Sequence, residues 1–179
     1  MNRFLSILAL VGLTLAVIVH VASLAGVDVS ERVPFVWVLH VGVFIVFVPF
    51  VLSSRKALGA KPSLSDVRAL MPNWVILVGA AVFAYAMVNF AIFIAAMDGG
   101  SPSILEGKYV LQNHGNFIRE ITQTEYAAFR ANELRGFSGH WLVFYFVPFA
   151  YFMFAKKPTL PSSGRPNGHR SCRMLDFFV

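Results

Sequence analysis

The chain has 179 residues, of which 57% are apolar and only 13% charged, with a formal net charge of +6. A soluble domain ordinarily carries about a quarter charged residues, so this composition excludes a typical soluble enzyme and points to a bilayer as solvent. A single cysteine, Cys172, excludes an internal disulfide.

Arg3 precedes an apolar run over residues 4–27. A hydrocarbon core of about 30 Å needs roughly 20 residues of helix, so this run reads as a first span. A cleaved leader ending near Ser23-Leu24-Ala25 is the competing reading. Its apolar part is longer than the roughly 7 to 15 residues of a signal core. After a link with Asp28, Glu31 and Arg32, Pro34 sits where a first helical turn tolerates it, and the second span covers 33–52, with Pro49 near its far end. Arg55, Lys56, Lys61 and Arg68 then face one acid, Asp66, and residues 63–71 have the pattern of a short amphipathic surface helix. The third span covers 73–97, and Asp98 to Pro102 has loop composition.

Residues 107–135 form the one stretch with a water-soluble pattern between spans. Lys108 to Gln112 and Phe117 to Thr122 are β-prone runs separated by Asn113-His114-Gly115-Asn116, the signature of a β-hairpin. Thr122 and Glu125 make a capping box that starts a short helix near Gln123, and Gly136 is placed to end it. The fourth span covers 136–155, closed by Lys156 and Lys157, and residues 156–179 read as a disordered basic tail.

The basic residues of the N-terminus, the second link and the tail all fall on one side of an even number of spans, while in the third link they are matched by acids. The positive-inside rule then puts both termini in the cytoplasm and the hairpin-helix outside, as in a bacterial cytoplasmic (inner) membrane. The net charge is accounted for by topology and anionic lipid, so nucleic acid is not an expected partner.

The few polar residues of the spans are the candidate site: His20, His40, Tyr85, Asn89 and His140. Counted from the outer span ends at about 1.5 Å per residue, His20 and His40 lie about 10 Å deep, Asn89 about 12 Å and His140 about 6 Å. Four helices thus place polar groups in one layer. Ala9, Gly12, Ala16, His20 and Ser23 form a small-residue seam on the first span. Trp37, His40, Phe44 and Phe47 on the second have the bulk to fill it.

Three readings of the layer follow. The residues fix helix packing by hydrogen bonds. They are instead handles of a binding cavity roofed by the hairpin-helix. Or they hold a cofactor, with His20 and His40 as axial ligands of haem b or three histidines on a metal. The chain is similar to four-helix b-type cytochromes in span number and basic charge only, without a matching motif. His140-Trp141 reads as an interfacial pair, and the aromatic residues of the fourth span as lipid-facing filler that can also meet a lipid tail or quinone. No Ser-His-Asp set, P-loop, dinucleotide turn or CxxC occurs, and no carboxylate lies in any span.

The expected architecture is therefore an all-α integral membrane protein: four transmembrane helices in an antiparallel bundle, with an external hairpin plus short helix. The expected function is that of a non-enzymatic accessory or interaction protein. Its expected partners are membrane lipid and, through residues 107–135, another membrane or periplasmic protein. A redox or ligand-binding protein that uses the polar layer is the alternative, and no cofactor or metal is assigned.

Overall fold

The computed structural model describes residues 2–156; the tail beyond Lys156 lies outside the described residues. The helices are α1 (Asn2–Leu24), α2 (Val29–Arg32), α3 (Val38–Leu58), α4 (Leu64–Leu70), α5 (Asn73–Ala96) and α6 (Gln123–Phe154). A 3₁₀ turn, Pro34–Trp37, leads into α3, and β1 (Ser101–Leu105), β2 (Lys108–Asn113) and β3 (Asn116–Glu120) lie between α5 and α6. Four of the helical segments are long and apolar enough to cross a membrane: Arg3–Leu24, Pro34–Leu58, Asn73–Ala96 and Gln123–Phe154.

The expected hairpin is part of a larger unit, an antiparallel three-stranded sheet in the order β1-β2-β3. Both of its turns put two successive residues at positive φ, Glu106-Gly107 and His114-Gly115, the conformation that matches strand twist in two-residue hairpins. β1 takes up Ser101-Pro102, read from sequence as loop. It lies at the sheet edge, with Pro102 opposite Leu111, and an edge is where a strand accommodates a residue without an N–H.

The short helix is the other correction. Thr122 and Glu125 do make the capping box, and the helix does start at Gln123, but it runs unbroken through Gly136 to Phe154. Gly136 is a contact glycine and no stop: a Cβ there would lie 2.6 Å from Cγ of Phe93 on α5. The second span likewise continues past Leu52 and through Pro49 to Leu58, where Gly59 at φ 80° ends it and returns its N–H to the Arg55 carbonyl. The weakly amphipathic stretch after it does form α4. Ser63 and Asp66 cap each other at its start, and Leu70 and Met71 bury against Val75 and Ala150.

α6 is the axis of the bundle. Its pairings with α1 run from His20–Ser138 to Gly12–Tyr145, and those with α5 from Asn132–Phe93 to Phe154–Trp74, so both neighbours are antiparallel to it. Those with α3 run from His40–Trp141 to Phe50–Tyr151, a parallel pair. The small seam of α1 is real, with Ala9, Ala16, His20 and Ser23 buried, but α6 fills it. The Tyr145 ring lies across Gly12, and its hydroxyl donates to the Leu39 carbonyl at 2.6 Å. The Trp37-His40-Phe44-Phe47 stripe turns toward α6 as well, with Trp37 and His40 against Phe137 and Phe47 against Phe144.

Candidate functional site

Three of the five polar-layer residues converge. On α1, His20 is buried, and its Nε2 is 2.6 Å from the Tyr85 hydroxyl of α5 while its Nδ1 is 2.8 Å from Ser138 Oγ of α6. Ser138 Oγ donates to the Arg135 carbonyl at 3.2 Å, and the buried Asn89 donates its Nδ2 to that same oxygen at 3.2 Å. Ser138 has one proton, and the carbonyl can only accept. His20 therefore donates through Nδ1 and accepts the Tyr85 hydroxyl at Nε2. The result is a directed chain from Tyr85 through His20 and Ser138 to the Arg135 carbonyl, tying α1, α5 and α6 together. Gly139 makes room for it: a Cβ there would run into Asn89 Nδ2 and sit 3.6 Å from His20 Cε1.

The other two residues lie apart from this chain. His40 is exposed on α3, and its Nδ1 accepts the Trp141 indole N–H at 3.0 Å. Trp141 itself is 1% exposed, so it belongs to the core and not to an interfacial belt. His140 bonds through Nδ1 to the Gly136 carbonyl one turn back, at 2.9 Å, with its ring edge-on to Phe90. Both imidazoles line a largely apolar cleft of about 450 Å³ with Val43, Phe44, Phe137 and Phe144.

Ser138 and Arg135 escaped the sequence reading. Ser138 is one small hydroxyl in an aromatic run, and only its spacing of three from Arg135 hints that it bonds back along the helix. Arg135, a charged residue just before the fourth span, reads from sequence as solvent-facing. Its Nε and Nη2 are instead buried without a hydrogen-bond partner among the described residues.

At the end of the bundle where α5 stops and α6 starts, the sheet reaches across the helices. Its β2-β3 turn shares a recess with Phe93, Ile94 and Met97 at the end of α5, and Ile104 and Tyr109 share another with Asp28 and Ser30 in the α1-α3 link. Arg130 joins that link to α6. Its Nη1 meets Glu133 at 2.8 Å, its Nη2 donates to Ser30 Oγ at 3.2 Å, and its Nε is 3.8 Å from Asp28. Arg119 holds the sheet to the start of α6 through Glu125 at 2.9 Å. Lys108 is raised above its ordinary pKa by the hydrogen bond to Glu120 across the sheet.

For the haem reading, both ring nitrogens of His20 are taken, so coordination there would have to displace Ser138 or Tyr85. Among the described residues no three His, Cys, Asp or Glu side chains gather in the manner of a metal site. No family model, curated protein or solved structure matches the chain.

Proposed function

We propose that the chain is a four-span protein of a cytoplasmic membrane, with both termini inside. In this reading it is a non-enzymatic accessory subunit that offers its outer cap to another membrane or periplasmic protein. The observation that carries this reading is the length and continuity of α6. Its 32 residues make about 48 Å of helix at 1.5 Å per residue, well beyond a hydrocarbon core of about 30 Å. The first three turns therefore stand outside the core as a rigid post. The sheet and the α1-α3 link are fastened to that post by Arg119 and Arg130.

The cap has the character of a contact surface. Ile104, Leu105, Phe117 and Ile118 are exposed there, Phe117 at 60%. Apolar side chains displayed on a pinned sheet favour association with a partner or with headgroups. The polar chain supports the packing role, since its hydrogen bonds join α1, α5 and α6. A photo-reactive residue at Phe117 or Ile104, irradiated in native membranes, is expected to give a discrete protein adduct, whereas one at Ile7 on the exposed side of α1 gives lipid adducts only. Lipid adducts alone from all three positions would reject the accessory role.

The redox alternative keeps a simple test. A Soret band in purified protein that vanishes in His20→Ala would establish it against the packing role.

A further inference from the structure

α3 and α5 both pack on α6, and at the end of the bundle opposite the cap an apolar cavity of about 320 Å³ remains between them. Its walls come from Phe50 and Leu58 of α3, Val67 of α4, Val75 of α5, and Phe146 and Tyr151 of α6. The Leu70 carbonyl at the end of α4 accepts the Lys156 N–H at 2.9 Å, which ties the end of α6 to α4 beside the cavity. The walls are almost wholly apolar, and the Ser54 hydroxyl among them is already spent on the Val51 carbonyl at 3.1 Å. Water gains little in such a space, since a held water needs about two to four polar partners. Hydrocarbon gains the dispersion contacts that an empty void forfeits.

The rim has the opposite character. Arg55, Lys56, Lys61, Arg68 and Lys156 are all exposed at this end, and Asp66 is the single acid between Glu31 and Asp98. Asp66 is committed to the start of α4, where it accepts the Ser63 N–H at 2.8 Å and the Ser63 hydroxyl at 2.6 Å. Among the described residues none of the five cations has an ion-pair partner. Arg68 stands next to the apolar space itself: with Asn73, Leu77 and Ala80 it lines a recess that adjoins the cavity across Ile76, a residue common to both. An apolar slot beside unneutralised cations, at the level where helices leave the hydrocarbon, suits a long apolar chain with a negative head. A zwitterionic head brings its own cation and gains less from this field.

We infer that this end of the bundle holds one anionic phospholipid, with an acyl chain in the cavity and its phosphate on Arg68. The other four cations add to the field that selects a negative head. The inference rests on the membrane reading above, in which this end meets the cytoplasmic leaflet, and not on the partner of the cap.

The test uses the full chain in detergent, titrated with dioleoylphosphatidylglycerol or dioleoylphosphatidylcholine and read by native mass spectrometry. The unaltered protein should retain one phosphatidylglycerol per chain at several-fold lower lipid concentration than phosphatidylcholine. Arg68→Gln should weaken phosphatidylglycerol about fivefold, the effect of one cation near a lipid phosphate, and leave phosphatidylcholine unchanged. Arg3→Gln, on α1 and away from the lining of both cavity and recess, should leave both lipids unchanged. Ser54→Phe, which fills the cavity, should weaken both lipids alike. Equal retention of the two lipids by the unaltered protein, a comparison that needs no variant, would overturn the inference. So would an equal loss in Arg3→Gln and Arg68→Gln, which would reduce the site to diffuse surface charge. A chain that stays in solution without detergent would fail the membrane reading itself, before any lipid is added. Because the cap's partner is read by photo-crosslinking, its absence would leave these outcomes unchanged.

Discussion

Gly12→Ala separates the hub arrangement from any other packing of the same four helices. On an unpacked helix face this change stabilises, because alanine is the better helix former by about 1 kcal/mol. Here the new Cβ would lie 2.6 Å from Cζ of Tyr145, inside the ring's van der Waals envelope. The ring has little freedom to yield. Tyr145 is 3% exposed, its hydroxyl is held by the Leu39 carbonyl, and Gly42 abuts that hydroxyl from α3. Overpacking of this kind costs about 1–3 kcal/mol, and a ring forced aside also gives up a hydrogen bond of about 1 kcal/mol. The balance is a net loss of about 1–3 kcal/mol, or about 2–4 °C of melting temperature per kcal/mol for a chain of this size. Thermal unfolding in detergent, followed by tryptophan fluorescence, measures it. The same substitution in a Tyr145→Ala background should be neutral or stabilising, since the obstacle is gone. A Gly12→Ala protein as stable as the original, or an equal loss in both backgrounds, would refute the packing of α1 on Tyr145.

Other expectations follow from the same contacts. His20→Leu should lower the melting temperature by removing two hydrogen bonds, to Ser138 and to Tyr85, at about 1 kcal/mol each, and Tyr85→Phe should cost less because it removes only one of them; equal effects would mean that His20 does not bridge the two. Arg135→Met should leave stability unchanged or raise it, because two buried guanidinium nitrogens lack partners among the described residues, and a clear fall in melting temperature would show that they are satisfied. Arg130→Gln should speed amide exchange across Val29–Arg32 by releasing the link from α6, with exchange at Leu64–Leu70 as the unaffected control. For pH, the Ser63 hydroxyl and then its backbone N–H hold Asp66 below its ordinary pKa. A group with a depressed folded pKa contributes stability that is present above the unfolded value and lost as pH falls through the folded one. The cap of α4 should therefore persist down to about pH 4 and melt below it, as read from amide exchange of residues 64–66; melting that begins above pH 5 would contradict this.

How much of this was legible in the sequence depends on which forces leave a local trace. Apolar length marks the four long helices, and the Thr122-Glu125 and Ser63-Asp66 boxes mark helix starts because capping is a matter of spacing along the chain. The Asn113–Asn116 turn was readable for the same reason, since His114 and Gly115 take the left-handed conformation such residues tolerate. What was misread depended on a distant partner. Gly136 looks like a helix stop until Phe93 is set against it, and β1 looks like a loop until β2 supplies its hydrogen bonds. Which helix fills the α1 seam was likewise hidden, because spans apolar on every side carry no stripe to say which way they face. Within the polar layer, the direction each side chain takes was not readable. His20, Tyr85 and Asn89 meet at α6, whereas His40 and His140 open on a separate cleft.

In the proposed topology α6 is one helix that begins in an outer aqueous cap and ends at the inner face of the membrane. Single cysteines placed along it, after Cys172→Ser removes the native thiol, can be labelled in intact cells with a membrane-impermeant maleimide. Positions 123 and 127 should label from outside, positions 143 to 152 should stay protected, and position 61 should label only once the cells are opened. Labelling of position 61 in intact cells, or of α6 along its whole length, would contradict the account.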